Sequence, residues 1–319
     1  MRRLAWQAHS EEHAGSECRM TRQVALIGVP SGAGACGVGQ HETPTALRAA
    51  GLVERLTDAS MAVTDLGDSP SWPWRPDRAN RRAQNLNAVV EQVRMTSTRV
   101  ADALAVPDRI ALVLGGDCTI GIGTVAGARS AVGDVGLLYF DLHSDLNTPA
   151  SASDGALDWM ALAHMLAIPG SEPSLARATG RVQIIDPAQV VLFGHGRAQA
   201  TGWERNQIKR LDLARFAVED VAIDPEDKAA DALELLASRA DRYVIHLDVD
   251  IVDFTDAPLS EHTARNTGLP LSVMLRALKV LAAGHGLAAI TVTELNPKNA
   301  AVEDGLLERF AESLAAAIG

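Results

Sequence analysis

The sequence predicts a three-layer α/β fold on a mainly parallel sheet, and three observations carry that prediction. Short apolar runs bounded by Gly, Asp or Pro recur along the chain, as expected of strands covered on both faces. Longer amphipathic stretches separate them, so strand and helix alternate as βαβ units. No repeat, linker or shift of composition interrupts the alternation, which assigns residues 21–319 to a single domain.

Taken in order, residues 1–20 start basic but lack the apolar core of a secretory signal, and they read as a flexible tail ending at a second start-like Met20. His9, His13 and Cys18 in that tail follow no ligand pattern. The apolar runs are Val24–Val29, a shorter one at Met61–Val63, then Ile110–Leu114, Val135–Phe140, Val190–Phe193, Tyr243–Leu247 and Ala288–Val292. Helix-like patterns occupy 87–106, 231–239, 271–283 and 302–318. The tract Ser69–Pro76 is the most loop-like. His164 lies in an apolar run and His246 inside a strand, and both read as packed core histidines. Cys36, in the loop Ser31–Gln40, has no partner in spacing.

Composition removes several functions. With 29 Lys+Arg against 40 Asp+Glu the formal net charge is −11, the wrong sign for a nucleic-acid-binding face. Aromatic residues make up only 4%, too few for base-stacking platforms. No apolar run is long enough for a membrane helix. Three widely spaced cysteines form no disulfide framework, so a reducing cytoplasm is the expected compartment.

The informative polar residues follow the strands. Gly115-Gly116-Asp117-Cys118 comes after one run, and Asp141-Leu142-His143-Ser144-Asp145 after the next. Asp248-Val249-Asp250 and Thr293-Glu294-Leu295-Asn296-Pro297 follow two more. Ligands of open α/β sheets bind at the carboxyl ends of strands, so the Cys118 thiol, the His143 imidazole and the five carboxylates of Asp141, Asp145, Asp248, Asp250 and Glu294 converge on one edge. Alternate residues of an extended segment face one side, which lets D-x-H-x-D and D-x-D aim at one point. Carboxylates so crowded must either hold protons or recruit cations. Oxygen-rich ligation with imidazole suits Mn²⁺ or a related divalent ion, and several shared carboxylates favour two ions.

These motifs, in this order, resemble the ureohydrolase superfamily of arginase, agmatinase, guanidinobutyrase and formimidoylglutamase. Ile27–Pro30 with Thr43–Arg48 and Ala50–Leu52, then Asp65–Asp68, Leu114–Cys118, Phe140–Pro149, Leu247–Asp250 and Glu294–Pro297 carry the resemblance over most of the chain from Val24. It implies a doubly wound, mainly parallel sheet of about eight strands, an assembly of three or six copies, and two divalent ions, Mn²⁺ first. By position, Asp141 and Asp248 would bridge the ions, Cys118 and Asp145 would complete one, and His143 and Asp250 the other. Glu294 would orient the amidino nitrogens. A hydroxide bridging the ions would cleave a C–N bond in a small cationic guanidino or amidino compound.

The departures concern ligand and substrate positions. Cys118 stands where the resemblance expects histidine, which admits Zn²⁺ or Fe²⁺. A similar change occurs in the hydroxyarginine-cleaving branch of the superfamily. Along Ser151–Trp159, Asp158 replaces a catalytic histidine, while Asp154 and Ala156 replace residues that grip the amino-acid end of arginine; Asn147 of that substrate-binding set is kept. Asp158 either moves a proton or caps the following helix. Arg197 and Arg265 either receive a substrate carboxylate or lie on the surface. Three functions therefore stand at this point: a hydrolase of a guanidino or amidino compound other than free arginine, an N-hydroxyguanidino hydrolase, and a non-catalytic metal- or metabolite-binding relative.

Overall fold

The computed structural model describes residues 21–319, so the tail with His9, His13, Cys18 and Met20 lies outside the described residues. Eight strands, β1 (Gln23–Gly28), β2 (Ala62–Asp68), β3 (Arg109–Leu114), β4 (Val135–Phe140), β5 (Val190–His195), β6 (Ala214–Ala217), β7 (Arg242–Asp248) and β8 (Leu287–Thr293), form one sheet. Its order is β2-β1-β3-β8-β7-β4-β5-β6 and every pair is parallel. The predicted eight-stranded doubly wound sheet is therefore what the chain builds.

Side chains alternate along each strand between two cores. In β1, Val24 and Leu26 join one, Ala25 and Ile27 the other. The first core is closed by helices that include Pro225–Ala237, Leu271–Ala282 and Leu306–Ile318. The second is closed by Leu86–Leu104 and Ile120–Val132. Central strands β3, β4, β7 and β8 are buried along nearly their whole length, whereas edge strand β2 is mostly exposed and edge strand β6 half-exposed. At the β2 edge, Arg48 binds Asp65 at 2.7 Å and Asp68 at 2.6 Å. The Asp65–Asp68 motif thus fastens a helix to the sheet edge.

Three elements depart from the sequence reading. The run at Met61–Val63 extends to Asp68, with polar residues tolerated because this strand is an edge. Strand β6 was missed, since ARFA is four residues long and mostly half-exposed. The helix Ile120–Val132 was missed because it is apolar nearly all round and shows no amphipathic stripe. No described helix is long and apolar enough to cross a membrane.

Candidate active site

The four central neighbours β3, β8, β7 and β4 end side by side, and each delivers its motif to the same edge. A cavity of about 480 Å³ opens there. It is lined by Cys118, His143, Asp145, Asp248, Asp250 and Glu294 from the strand ends, with Cys36, Asp154, Asp158, Glu261 and His262 from surrounding loops. That volume suits a small molecule.

Short turns set the motifs. The Asp141 carboxylate accepts the His143 N–H at 2.7 Å, and Asp248 accepts the Asp250 N–H at 2.8 Å. Each loop thereby folds its second ligand-type residue back beside the first. Glu204 supports the loop after β4, accepting from Ser144 Oγ at 3.0 Å and Leu146 N at 3.3 Å. Asp145 and Glu294 have φ of 48° and 60°. The left-handed region is costly for a glutamate and is held here by Glu294 N donating to Gly116 O at 2.7 Å. Glu294 in turn accepts from Cys118 N at 2.9 Å and Gln40 Nε2 at 3.3 Å.

Two groups of ligand-type atoms result. In one, Cys118, Asp141, His246 and Asp248 each place an atom within 4.8 Å of all the others, and all four residues are buried. In the other, His143, Asp250 and His262 do the same, with His143 Nδ1 2.9 Å from Asp250. The family resemblance pairs Cys118 with Asp145, and the sequence reads His246 as core packing. The structure puts His246 in the cluster, because residues 246 and 248 share a face of β7. Asp145 is in neither group; its carboxylate accepts the Tyr139 hydroxyl at 2.5 Å. His262 was missed outright, since its loop has no motif and is positioned by tertiary contacts.

The cluster is electrostatically incomplete. Asp141 Oδ2, Asp250 Oδ1 and His246 Nδ1 are buried without a hydrogen-bond partner. Burial and neighbouring Asp250 push the Asp141 carboxyl up to about 6. Burial, with Asp141 nearby, raises Asp145 well above the carboxylate range; burial, with Asp250 nearby, does the same to Asp248. For Glu294 the causes are burial and Asp158. Burial and Asp248 push the Cys118 thiol up, and it donates to Asp248 at 2.9 Å. Burial would raise Asp250, but the His143 charge outweighs it and holds that carboxyl low. Such an array has the donor set and the unmet charge for divalent cations.

The substrate-side expectations divide. Asp154, Asp158 and Glu294 line the cavity. Asp158 is half-buried and pushed well up by burial and Asp117; its Oδ1 accepts the Trp159 N–H at 2.8 Å within the first turn and caps no helix. Asn147 does not line the cavity: it is 1% exposed, with Oδ1 taken by Ser151 at 3.1 Å and Thr201 at 3.4 Å. Arg197 and Arg265 also lie outside it, and Arg265 sits over the Phe254 ring. Cys36, which the sequence left without a role, lines the cavity, and burial and Asp158 push its thiol up to about 12. His164 is the satisfied core histidine expected, bonded to Met160 O and Glu172 N.

Comparison with known proteins agrees with this arrangement. The family model described as Arginase family matches residues 22–317. An arginase of Bacillus subtilis (strain 168) is 33% identical over 75% of this chain and 79% of its own. An arginase of Bacillus caldovelox is 30% identical over 86% of this chain and 91% of its own. The solved structure of arginase from Bacillus caldovelox superimposes with a TM-score of 0.83 at 27% identity, covering 94% of this chain and 99% of that one. A match over nearly every described residue places the chain in the arginase family, the metal-dependent hydrolases of non-peptide C–N bonds in guanidino and amidino compounds.

Proposed function

We propose that this chain hydrolyses a cationic guanidino or amidino compound whose far end is an amine or is uncharged, in place of the amino-acid end of free arginine. One observation carries the reading: eight of the sixteen residues lining the cavity are Asp or Glu, and none is Lys or Arg. A cavity of that charge draws in a cation and offers a carboxylate no counter-charge.

The two ligand groups, Cys118, Asp141, His246 and Asp248 on one side and His143, Asp250 and His262 on the other, would hold two divalent ions. Bound ions would supply Lewis acidity and a water activated near neutral pH. The side chains do the rest. Glu294, pinned by Cys118 N–H and Gln40, receives the amidino N–H groups in charge-assisted hydrogen bonds. Asp158 holds a proton on the oxygen that Trp159 leaves free and gives it to the departing amine. Asp154, exposed at the mouth, meets the ammonium of the tail.

A neighbouring cavity of about 310 Å³ shares Asp154 and carries Arg78 and Arg81. It favours a second reading, a longer substrate whose guanidinium enters the acidic cavity while an anionic end reaches these arginines. A panel of arginine, agmatine, hydroxyarginine and guanidino acids of graded length, assayed for urea and amine release with Mn²⁺ or Zn²⁺ present, separates the readings. Agmatine-type substrates are expected to exceed arginine in kcat/KM by at least tenfold. Arginine turning over as well as agmatine would defeat the first reading, and the longest acids leading would establish the second. No release from any substrate by protein carrying both ions would leave a non-catalytic binding protein.

A further inference from the structure

The position expected to supply an imidazole to the ion beside β3 supplies a thiol, yet an imidazole is present there. His246 is fully buried in β7, and one of its ring nitrogens lies within 4.8 Å of ligand-type atoms of Cys118, Asp141 and Asp248. Four atoms that close together span about twice a metal–ligand bond of ~2.0–2.3 Å. Nδ1 has no hydrogen-bond partner, and Nε2 has only a long contact of 3.4 Å to Thr293 Oγ1. A buried imidazole so poorly bonded is not explained by packing.

Two neighbours fix the ring at this place. Tyr139 stacks on it with centroids 4.4 Å apart and planes 11° apart. Gly121, at the start of the helix Ile120–Val132, leaves it room, since a Cβ there would lie 2.5 Å from Nδ1. The same Tyr139 donates its hydroxyl to Asp145 at 2.5 Å, which occupies the carboxylate expected as the remaining ligand. One tyrosine thus holds the imidazole in place and engages the competing carboxylate.

We infer that Cys118, Asp141, His246 and Asp248 together form a mixed sulfur, nitrogen and oxygen site for a thiolate-preferring divalent ion of the Zn²⁺ type, with His246 serving in place of Asp145. The inference rests on the two-ion reading above and refines one half of it. The other group, His143, Asp250 and His262, offers nitrogen and oxygen only and keeps no preference for a soft ion.

The test uses full-length protein stripped of metal and reloaded. Given equimolar Zn²⁺ and Mn²⁺, the wild type retains one Zn²⁺, and Cys118→Ser lowers the preference for Zn²⁺ over Mn²⁺ by at least tenfold. Loaded with Co²⁺, it shows a near-ultraviolet thiolate charge-transfer band that Cys118→Ser abolishes. His246→Phe preserves an aromatic ring for Tyr139 to stack on and removes both nitrogens. It is expected to weaken the first ion by about 10-fold or more, measured against a chromophoric chelator, and to weaken the visible Co²⁺ bands of a four-coordinate ion. Asp145→Asn is expected to change that affinity less than threefold. An Asp145→Asn loss with His246→Phe unchanged, or a wild type with no thiolate band, overturns the inference while two bound ions leave the hydrolase reading standing. A wild type that binds no ion at all defeats both. Should His246→Phe not fold, the competition and the band in the wild type still decide the ion type, and zinc-edge absorption at one equivalent decides the imidazole.

Discussion

Stripping the metal should make this protein less stable as pH rises, and Asp141 gives the size of the effect. Its carboxyl moves from an ordinary 3.8 to about 6, chiefly through burial and then through Asp250. The folded chain therefore keeps this proton where the unfolded chain has released it, so stability falls between pH 4 and 6 and levels off above. The difference corresponds to about 3 kcal/mol, or about 4–5 °C in melting temperature for a chain of this length. Asp145, Asp248 and Glu294 are raised as well and deepen the fall. His143 is also raised and loses its contribution only as pH climbs through that raised value, so it acts in the same direction. Asp250 is lowered; its contribution is complete above 3.8 and cannot offset the trend. The assay is calorimetry of dialysed apoprotein at several pH values beside metal-loaded protein. Ions at a hundredfold their Kd should restore about 2.7 kcal/mol each near pH 7. Apoprotein stability that is flat or rising from pH 4 to 6 would refute the picture of carboxylates crowded without a cation.

Three further outcomes are expected. Glu204→Ala leaves Ser144, Leu146 and the Thr201 N–H without their shared acceptor and should cost about 1–3 kcal/mol in denaturant titrations. Gly116→Ala should yield little folded protein on expression, because a Cβ at 116 would lie 1.6 Å from the Ser31 carbonyl oxygen, a backbone atom that cannot rotate away. Asp253→Ala releases Thr255 N and Thr267 N, held at 2.8 and 2.7 Å, so amides of residues 254–268 should exchange faster with the global melting temperature down by only a few degrees; KM should rise because Glu261 and His262 ride on that loop.

What the sequence disclosed followed from how locally each feature is encoded. The central strands are covered on both faces, so their apolar runs stand out without any tertiary knowledge. Strand β6 and the helix Ile120–Val132 fail that test in opposite ways, one too short and exposed, the other too uniformly apolar. The strand-end carboxylates were legible because parallel topology sends every such motif to one edge. His262 was not, since its place depends on Asp253 clasping a loop fourteen residues long across backbone contacts written nowhere in the local sequence. Asn147 stands the other way round: its motif is legible, but the local sequence does not disclose that Oδ1 turns to Ser151 and Thr201.

His246 shows how a legible signal can be passed over. A strand repeats every two residues, so an imidazole two before Asp248 faces the same way as that carboxylate. Set against Leu247, its neighbour on the opposite face, it reads as packing. Considered by itself, the loss of histidine at 118 implies a weakened site. Considered with Tyr139, Asp145 and His246, it becomes one part of a concerted exchange. The thiol and the strand imidazole approach from neighbouring parts of the sheet edge, and the Asp145 carboxylate accepts the Tyr139 hydroxyl. Tyr139 touches both the imidazole and the Asp145 carboxylate, and His246 Nδ1 is buried without a hydrogen bond beside two carboxylates. The arrangement is better explained by retuning toward a softer ion than by decay, and that distinction turns on whether His246 or Asp145 holds the ion beside Cys118.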